Sequence, residues 1–161
     1  MKYKEIGLIG YGNFGKFISK ILSETFRIYV YDCVVKNDKN DLKNIFFSSI
    51  EETCSKDIII LSTPVQYLED CLLKIRDLIK KDALVFDVCS VKIKPVELML
   101  KYLPKTVEII GTHPLFGPQS AKSGIANLNM VLTNVRSERF QRVKKFIEEK
   151  LDTEYLISPY A

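Results

Sequence analysis

Two short segments carry side chains able to do chemistry at neutral pH. "IIGTHPLFGPQSA", residues 109–121, holds His113, the only histidine of the chain. An imidazole changes charge near neutrality, so one placed at a strand end can serve as a general base or acid, or be an incidental ring. Upstream, "LVFDVCSVK" ends in Asp87, Cys89, Ser90 and Lys92. Ser90 reads equally as a helix N-cap and as a hydrogen-bonding group for a substrate.

A third segment is built for phosphate. "GYGNFG" sets Gly10, Gly12 and Gly15 in the G-x-G-x-x-G spacing, with Asn13 and Phe14 between the last two. It follows the strand pattern "IGLI" and opens the helical pattern "KFISKILSE". Such glycines allow a tight turn, close approach of backbone to a pyrophosphate, and close packing of helix on sheet. The helix N-terminus adds unpaired N–H groups and a partial positive charge. Asp32 closes the next strand, "RIYVY", about 20 residues on, where a carboxylate accepts from both ribose hydroxyls and repels a 2′-phosphate. The expected cofactor is therefore NAD, ahead of NADP. After the strand "IIIL" come Ser62, Thr63 and Pro64, which either line the cofactor or simply turn the chain.

These groups need elements that bring them together. Short β-branched runs alternate with amphipathic stretches: "EIGLIG", "FGKFISKILSE", "RIYVYD", then, after a polar connection, "DIIILST", "VQYLEDCLLKIRDLIKK", "ALVFDV" and "KPVELMLKYL". That alternation predicts βαβ units in an α/β fold, a Rossmann-type, doubly wound and mostly parallel sheet with helices on both faces. In 65–81, Tyr67, Leu68, Cys71, Leu72, Ile75, Leu78 and Ile79 recur at helical spacing, giving a sheet-covering face. The strand "VEIIGTHP" is expected to end at Thr112 and His113, leaving the imidazole just past it in a loop. "NMVLTNV" predicts a further strand, "SERFQRVKKFIEEKL" a helix that Ser137 can cap, and "TEYLISPYA" a last short strand. Ligands of such sheets sit beyond the carboxyl ends of the strands, which is where the candidate residues fall.

Composition narrows the function classes. A chain of 161 residues is expected to form one domain. The net charge of +4 is spread over many lysines with no run of five or six, and no apolar run approaches the ~20 residues of a membrane span, so neither nucleic acid nor a membrane is an expected partner. The four cysteines form no C-x-x-C pair and have only one histidine beside them, so no metal site is expected. They read as reduced, mostly buried thiols of a cytoplasmic protein. "MKYKEIGLIG" lacks the apolar core and cleavage site of a signal peptide.

"GLIGYGNFG", "STPV", "DVCSVK" and above all "GTHPLFGPQS" resemble the nucleotide-binding domain of the prephenate and arogenate dehydrogenases, the oxidative enzymes of tyrosine biosynthesis. The resemblance runs from about Lys4 to the C-terminus. It implies that Ser90 hydrogen-bonds the 4-hydroxyl of a cyclohexadiene substrate beside the nicotinamide, and that His113 accepts or polarises its proton. The reaction implied is an NAD-dependent oxidative decarboxylation of prephenate or arogenate. Many members carry an acidic residue six positions after the histidine, where this chain has Gln119, a further substrate-side position. The family also continues into a helical domain that dimerises and supplies an arginine for a substrate carboxylate; the chain ends at "ISPYA", so that domain is expected to be absent from it, and a homodimer is expected of the full-length enzyme. Two alternatives stay open: a catalytically silent NAD-binding module, and another NAD(P)-dependent dehydrogenase such as an imine reductase.

Overall fold

The computed structural model describes residues 4–37 and 42–158. Part of the polar connection after Asp32, the first three residues of the N-terminal segment and the final "PYA" lie outside them.

The chain alternates strands and helices as β1 (Glu5–Ile9), α1 (Asn13–Leu22), β2 (Arg27–Tyr31), β3 (Ile45–Phe47), α2 (Ile50–Cys54), β4 (Ile58–Leu61), α3 (Val65–Ile75), β5 (Leu84–Asp87), α4 (Ile93–Tyr102), β6 (Glu108–Pro114), β7 (Asn129–Arg136), α5 (Phe140–Lys150) and β8 (Glu154–Ile157). The strands form one sheet in the order β3-β2-β1-β4-β5-β6-β7-β8. Every neighbouring pair is parallel except β6 with β7. The order reverses at β1, whose neighbours are β2 and β4, so a crevice opens above the carboxyl ends of β1, β2 and β4.

The central strands are apolar on both faces because both are covered. One face packs α2, α3 and α4 onto Ile9, Ile59, Leu61, Val85 and Ile109, with Leu68, Leu72, Ile75, Val96 and Met99 from the helices. The other carries α1 and α5, with Ile18, Leu22, Phe140 and Ile147 buried over Ile6, Leu8, Leu84 and Ile110. Along α1, Gly15, Ile18, Ser19 and Leu22 form the buried stripe at three- and four-residue intervals.

Several expectations needed correction. α3 stops at Ile75, and 76–79 turn away, although Ile79 is still buried. Tyr67, counted with its apolar face, is 57% exposed. Ser137 does not cap α5, whose N-cap is Arg139; it accepts from the Arg139 N–H at 3.1 Å and donates to Glu108, pinning the helix entry to β6. β3 and α2 interrupt what read as a polar connection, α2 being capped by Ser49 accepting from Glu52 N–H at 3.1 Å. The cysteines are free, as expected among the described residues, but Cys33 is exposed and only Cys54 is fully buried.

Candidate active site

The glycine turn is shaped by two contacts. Gly10 has φ +99°, and a Cβ there would stand 2.4 Å from the Ser62 carbonyl oxygen, so only glycine suits both the backbone and the approach to β4. A Cβ on Gly15 would stand 2.2 Å from the Gly10 carbonyl, so this position lets α1 sit tightly on the turn. Gly12 differs: a Cβ there meets nothing within 4 Å. It is the N-cap of α1, makes no side-chain cap, and no acid stands in the first helical turn. The helix therefore directs its open N–H groups and positive end outward, an arrangement suited to an anion.

That end faces a cleft of about 670 Å³. Gly10, Gly12, Asn13, Phe14, Asp32, Ser62, Thr63, Pro64 and Ser90 all line it. Nine of the predicted residues are thus brought to one crevice, and its size fits the range of ligand clefts, about 300–1,000 Å³. Ser62, Thr63 and Pro64 form the β4–α3 turn, with Ser62 N–H donating to the Ile9 carbonyl at 2.8 Å, and they wall the cleft. Gly15 is buried beneath the turn and does not line the cleft.

Asp32 directly follows β2 at the lip of the cleft. Its Oδ2 accepts from Tyr11 N–H at 2.7 Å, and its Oδ1 from Val34 N–H at 2.8 Å and Val35 N–H at 2.9 Å. Burial acts to raise its pKa, but these three backbone donors and Lys36 outweigh it and hold the carboxyl below the ordinary value. The acid is therefore an anion, and it ties the glycine turn to the chain leaving β2.

The reactive candidates stand at and beyond the carboxyl ends of the neighbouring strands β5 and β6. His113 lies within β6, opposite Val131 of β7, and not in a loop beyond the strand. The antiparallel partner prolongs β6 through Pro114. The half-buried imidazole makes no hydrogen bond among the described residues. Burial and then the Lys92 ammonium press its pKa below the ordinary value, with Asp87 opposing, so the ring is neutral at pH 7. Ser90 is exposed on the cleft wall and does not cap α4, whose N-cap is Lys92. Gln119 is exposed in the loop after β6, which Gly117 and Ser120 close through a 2.9 Å N–H to Oγ bond. Neither His113 nor Gln119 lines the cleft itself.

Two features of the site escaped the sequence reading. Asp87 is fully buried and contacts Lys92, an ion pair that brackets Ser90 in sequence and whose charges act on His113. Spacing alone makes the two charges look like ordinary turn residues. The cleft is also walled by Tyr67, Asp70, Cys71 and Lys74 of α3, which recur every three or four residues and share a flank of the helix. Among the described residues no cluster of histidine, cysteine and acidic groups could hold a metal, and no helix is long and apolar enough to cross a membrane.

Strand order, open helix end and strand-end acid define the class: a Rossmann-type dinucleotide-binding domain. The pattern of the prephenate dehydrogenase nucleotide-binding domain matches residues 27–152, and the chain belongs to that family. The matched span begins after the glycine turn and includes Asp32, Ser90 and His113. Among relatives, arogenate dehydrogenase 2, chloroplastic, of Arabidopsis thaliana is 33% identical over 156 residues, covering 89% of this chain and 42% of its own length. A probable arogenate/prephenate dehydrogenase of Methanocaldococcus jannaschii is 24% identical over 150 residues, covering 88% of this chain and 33% of its own. The chain thus spans less than half the length of these relatives. A solved prephenate dehydrogenase from Aquifex aeolicus, in complex with hydroxyphenyl propionate and NAD+, superposes with a TM-score of 0.72 at 21% identity, over 100% of this chain and 61% of that one. Synechocystis arogenate dehydrogenase gives 0.73 at 20% identity, over 96% and 59%. At these identities the likeness shows the shared fold.

Proposed function

We propose that this chain is the cofactor-binding and proton-accepting part of an NAD-dependent prephenate or arogenate dehydrogenase, an enzyme of tyrosine biosynthesis in the cytoplasm. The observation that carries the reading is the pairing, at the carboxyl ends of one set of parallel strands, of an open anion cradle with Ser90 and the His113 imidazole. Gly10, Gly12, Asn13, Phe14 and the α1 N-terminus would hold the pyrophosphate, and Asp32 the adenosine ribose. A 2′-phosphate would meet the charge of Asp32, which favours NAD over NADP. Ser62, Thr63, Pro64 and Ser90 would border the cofactor farther along the cleft. A nicotinamide held there would supply the hydride acceptor for C4 of the substrate, whose ring would lose its carboxylate as CO₂ and become aromatic.

His113 takes the proton from the C4 hydroxyl as hydride leaves and returns it to the phenolate oxygen that decarboxylation creates. A ring kept neutral at working pH can accept that proton, a role worth about 10²- to 10⁴-fold in rate. Ser90 hydrogen-bonds the same hydroxyl and orients it. Gln119 stands on the substrate side, where a neutral amide can donate to or accept from the group that separates prephenate from arogenate.

Val91, Ile93 and Leu115 flank Ser90 and His113 and are 54%, 70% and 50% exposed. An apolar rim around a reactive end supports the view that a further, helical dimerising domain covers it in the whole enzyme and contributes the clamp for a substrate carboxylate. The chain by itself is then expected to bind NAD and to turn over poorly.

The test follows formation of the reduced cofactor by absorbance, with prephenate and arogenate offered separately to the whole enzyme and to this chain. Turnover of either substrate that disappears in His113→Asn, with NAD binding retained, is the expected result. Absence of turnover by the whole enzyme with both substrates would sink the reading in favour of a silent NAD-binding module.

A further inference from the structure

A buried charge pair, Asp87 with Lys92, stands between β5 and α4. Lys92 spends one N–H on Asp87 and another on the carbonyl oxygen of Thr112, at 2.6 Å. Thr112 Oγ1 donates in turn to the Asp87 carbonyl at 2.6 Å, and Asp87 Oδ2 accepts from Cys89 N–H at 3.1 Å. Both the side chain and the carbonyl of the residue just before His113 are therefore fastened to β5 and to the loop that carries Ser90. Space there is close: a Cβ on Gly111 would lie 3.3 Å from the Lys92 stem and 3.5 Å from Asp87 Oδ1. Asp87 Oδ1 is buried without a hydrogen-bond partner, which is costly for any acid kept only to fill space.

We propose that Lys92, anchored by Asp87, is the positioning residue of His113: it clamps the strand at Thr112 and keeps a fixed cation beside the imidazole. This rests on the reading of His113 as the proton acceptor. The clamp does two things for such a base. It fixes the register between His113 on β6 and Ser90 on the β5–α4 loop, so both reach one hydroxyl. It also disfavours a second positive charge nearby, so the imidazole stays unprotonated. The charged groups acting on the ring are Lys92, which lowers its pKa, and Asp87, which raises it, while β7 presents Val131 opposite. A surface lysine would be screened by water, whereas the Lys92 side chain is 17% exposed and Asp87 is 0%.

The single histidine makes the test direct. His113 is titrated by NMR in the free chain, without cofactor or substrate. Lys92→Met is expected to raise the imidazole pKa, and Lys92→Arg, which keeps the charge, to leave it low. Since Lys92→Met strands a buried carboxyl, the double variant Asp87→Asn/Lys92→Met is titrated beside it, and an upward shift is expected there as well. In the whole enzyme the acid limb of kcat/KM moves to higher pH with the imidazole. An imidazole that titrates as in the unmodified chain in both folded variants would overturn the proposal. Failure of the base role would show differently, as a His113→Asn enzyme that still turns over, and would leave the titration result standing.

Discussion

The glycine-turn crevice and the neighbouring strand ends that carry Ser90 and His113 are built in opposite ways. At the cofactor end the geometry is made by backbone: three N–H groups converge on Asp32, and Gly10 and Gly15 lie under contacts that no side chain could share. Around the residues proposed to react, side chains stand nearly alone. Ser90 and Gln119 are exposed and His113 has no hydrogen bond among the described residues, with only the Asp87–Lys92–Thr112 clamp behind it. A domain can thus hold its nucleotide cradle complete while its chemical end still needs substrate, cofactor and covering surface to define it.

The sharpest break of this contrast is His113→Asn. Turnover by the whole enzyme is expected to fall about 10²- to 10⁴-fold, while the midpoint of thermal unfolding and the NAD affinity stay within error. Loss of both together would make the ring a structural part of β6. Next in size, Gly10→Ala is expected to cost about 2 kcal/mol or more of stability, through the left-handed backbone and the overlap with Ser62. Gly12→Ala should leave unfolding unchanged and weaken NAD alone, since its surroundings are open. Urea denaturation of the two variants beside a calorimetric titration separates these outcomes.

Ser90→Ala should lower kcat/KM about tenfold, the worth of one hydrogen bond of about 1.4 kcal/mol, with no change in the unfolding midpoint. Asp32→Asn sharpens the other end. Its folded pKa is depressed, so its contribution is present above the unfolded value and lost as pH falls through the folded one. Thermal unfolding followed downward from pH 5 should therefore show a steeper loss in the unmodified chain than in Asp32→Asn, together with a narrower preference for NAD over NADP in the variant. The smallest effect concerns thiols. Cys33 is exposed, whereas burial pushes Cys54 up to about 12 and Cys89 up to about 11. Mass-resolved alkylation at neutral pH should mark Cys33 first, and bound NAD should slow it, because Cys33 lines the same cleft.

The same division explains what could be read from residues alone. The β1–α1–β2 unit was legible because its signals are local: a glycine turn, a periodic helix and an acid at a strand end. β3 and α2 were not, since three and five residues are too few to display a period; both are held by the neighbours they pack on. The local pattern ends the strand before His113 because the partner that extends β6 is β7, whose pairing is set by tertiary contact. For Ser137, the capping chemistry was recognised but its partner was not, as Glu108 is 29 residues away in sequence. The buried Asp87–Lys92 pair was hidden for a similar reason: charges five residues apart imply solvent until the sheet encloses them.

The account stands most directly on one measurement, calorimetric titration of the 161-residue chain with NAD+ and, separately, NADP+. It predicts one site per chain for NAD+ and clearly weaker binding of NADP+, because the cradle and Asp32 are already in place. No binding heat with either dinucleotide, or equal affinity for both, would contradict it.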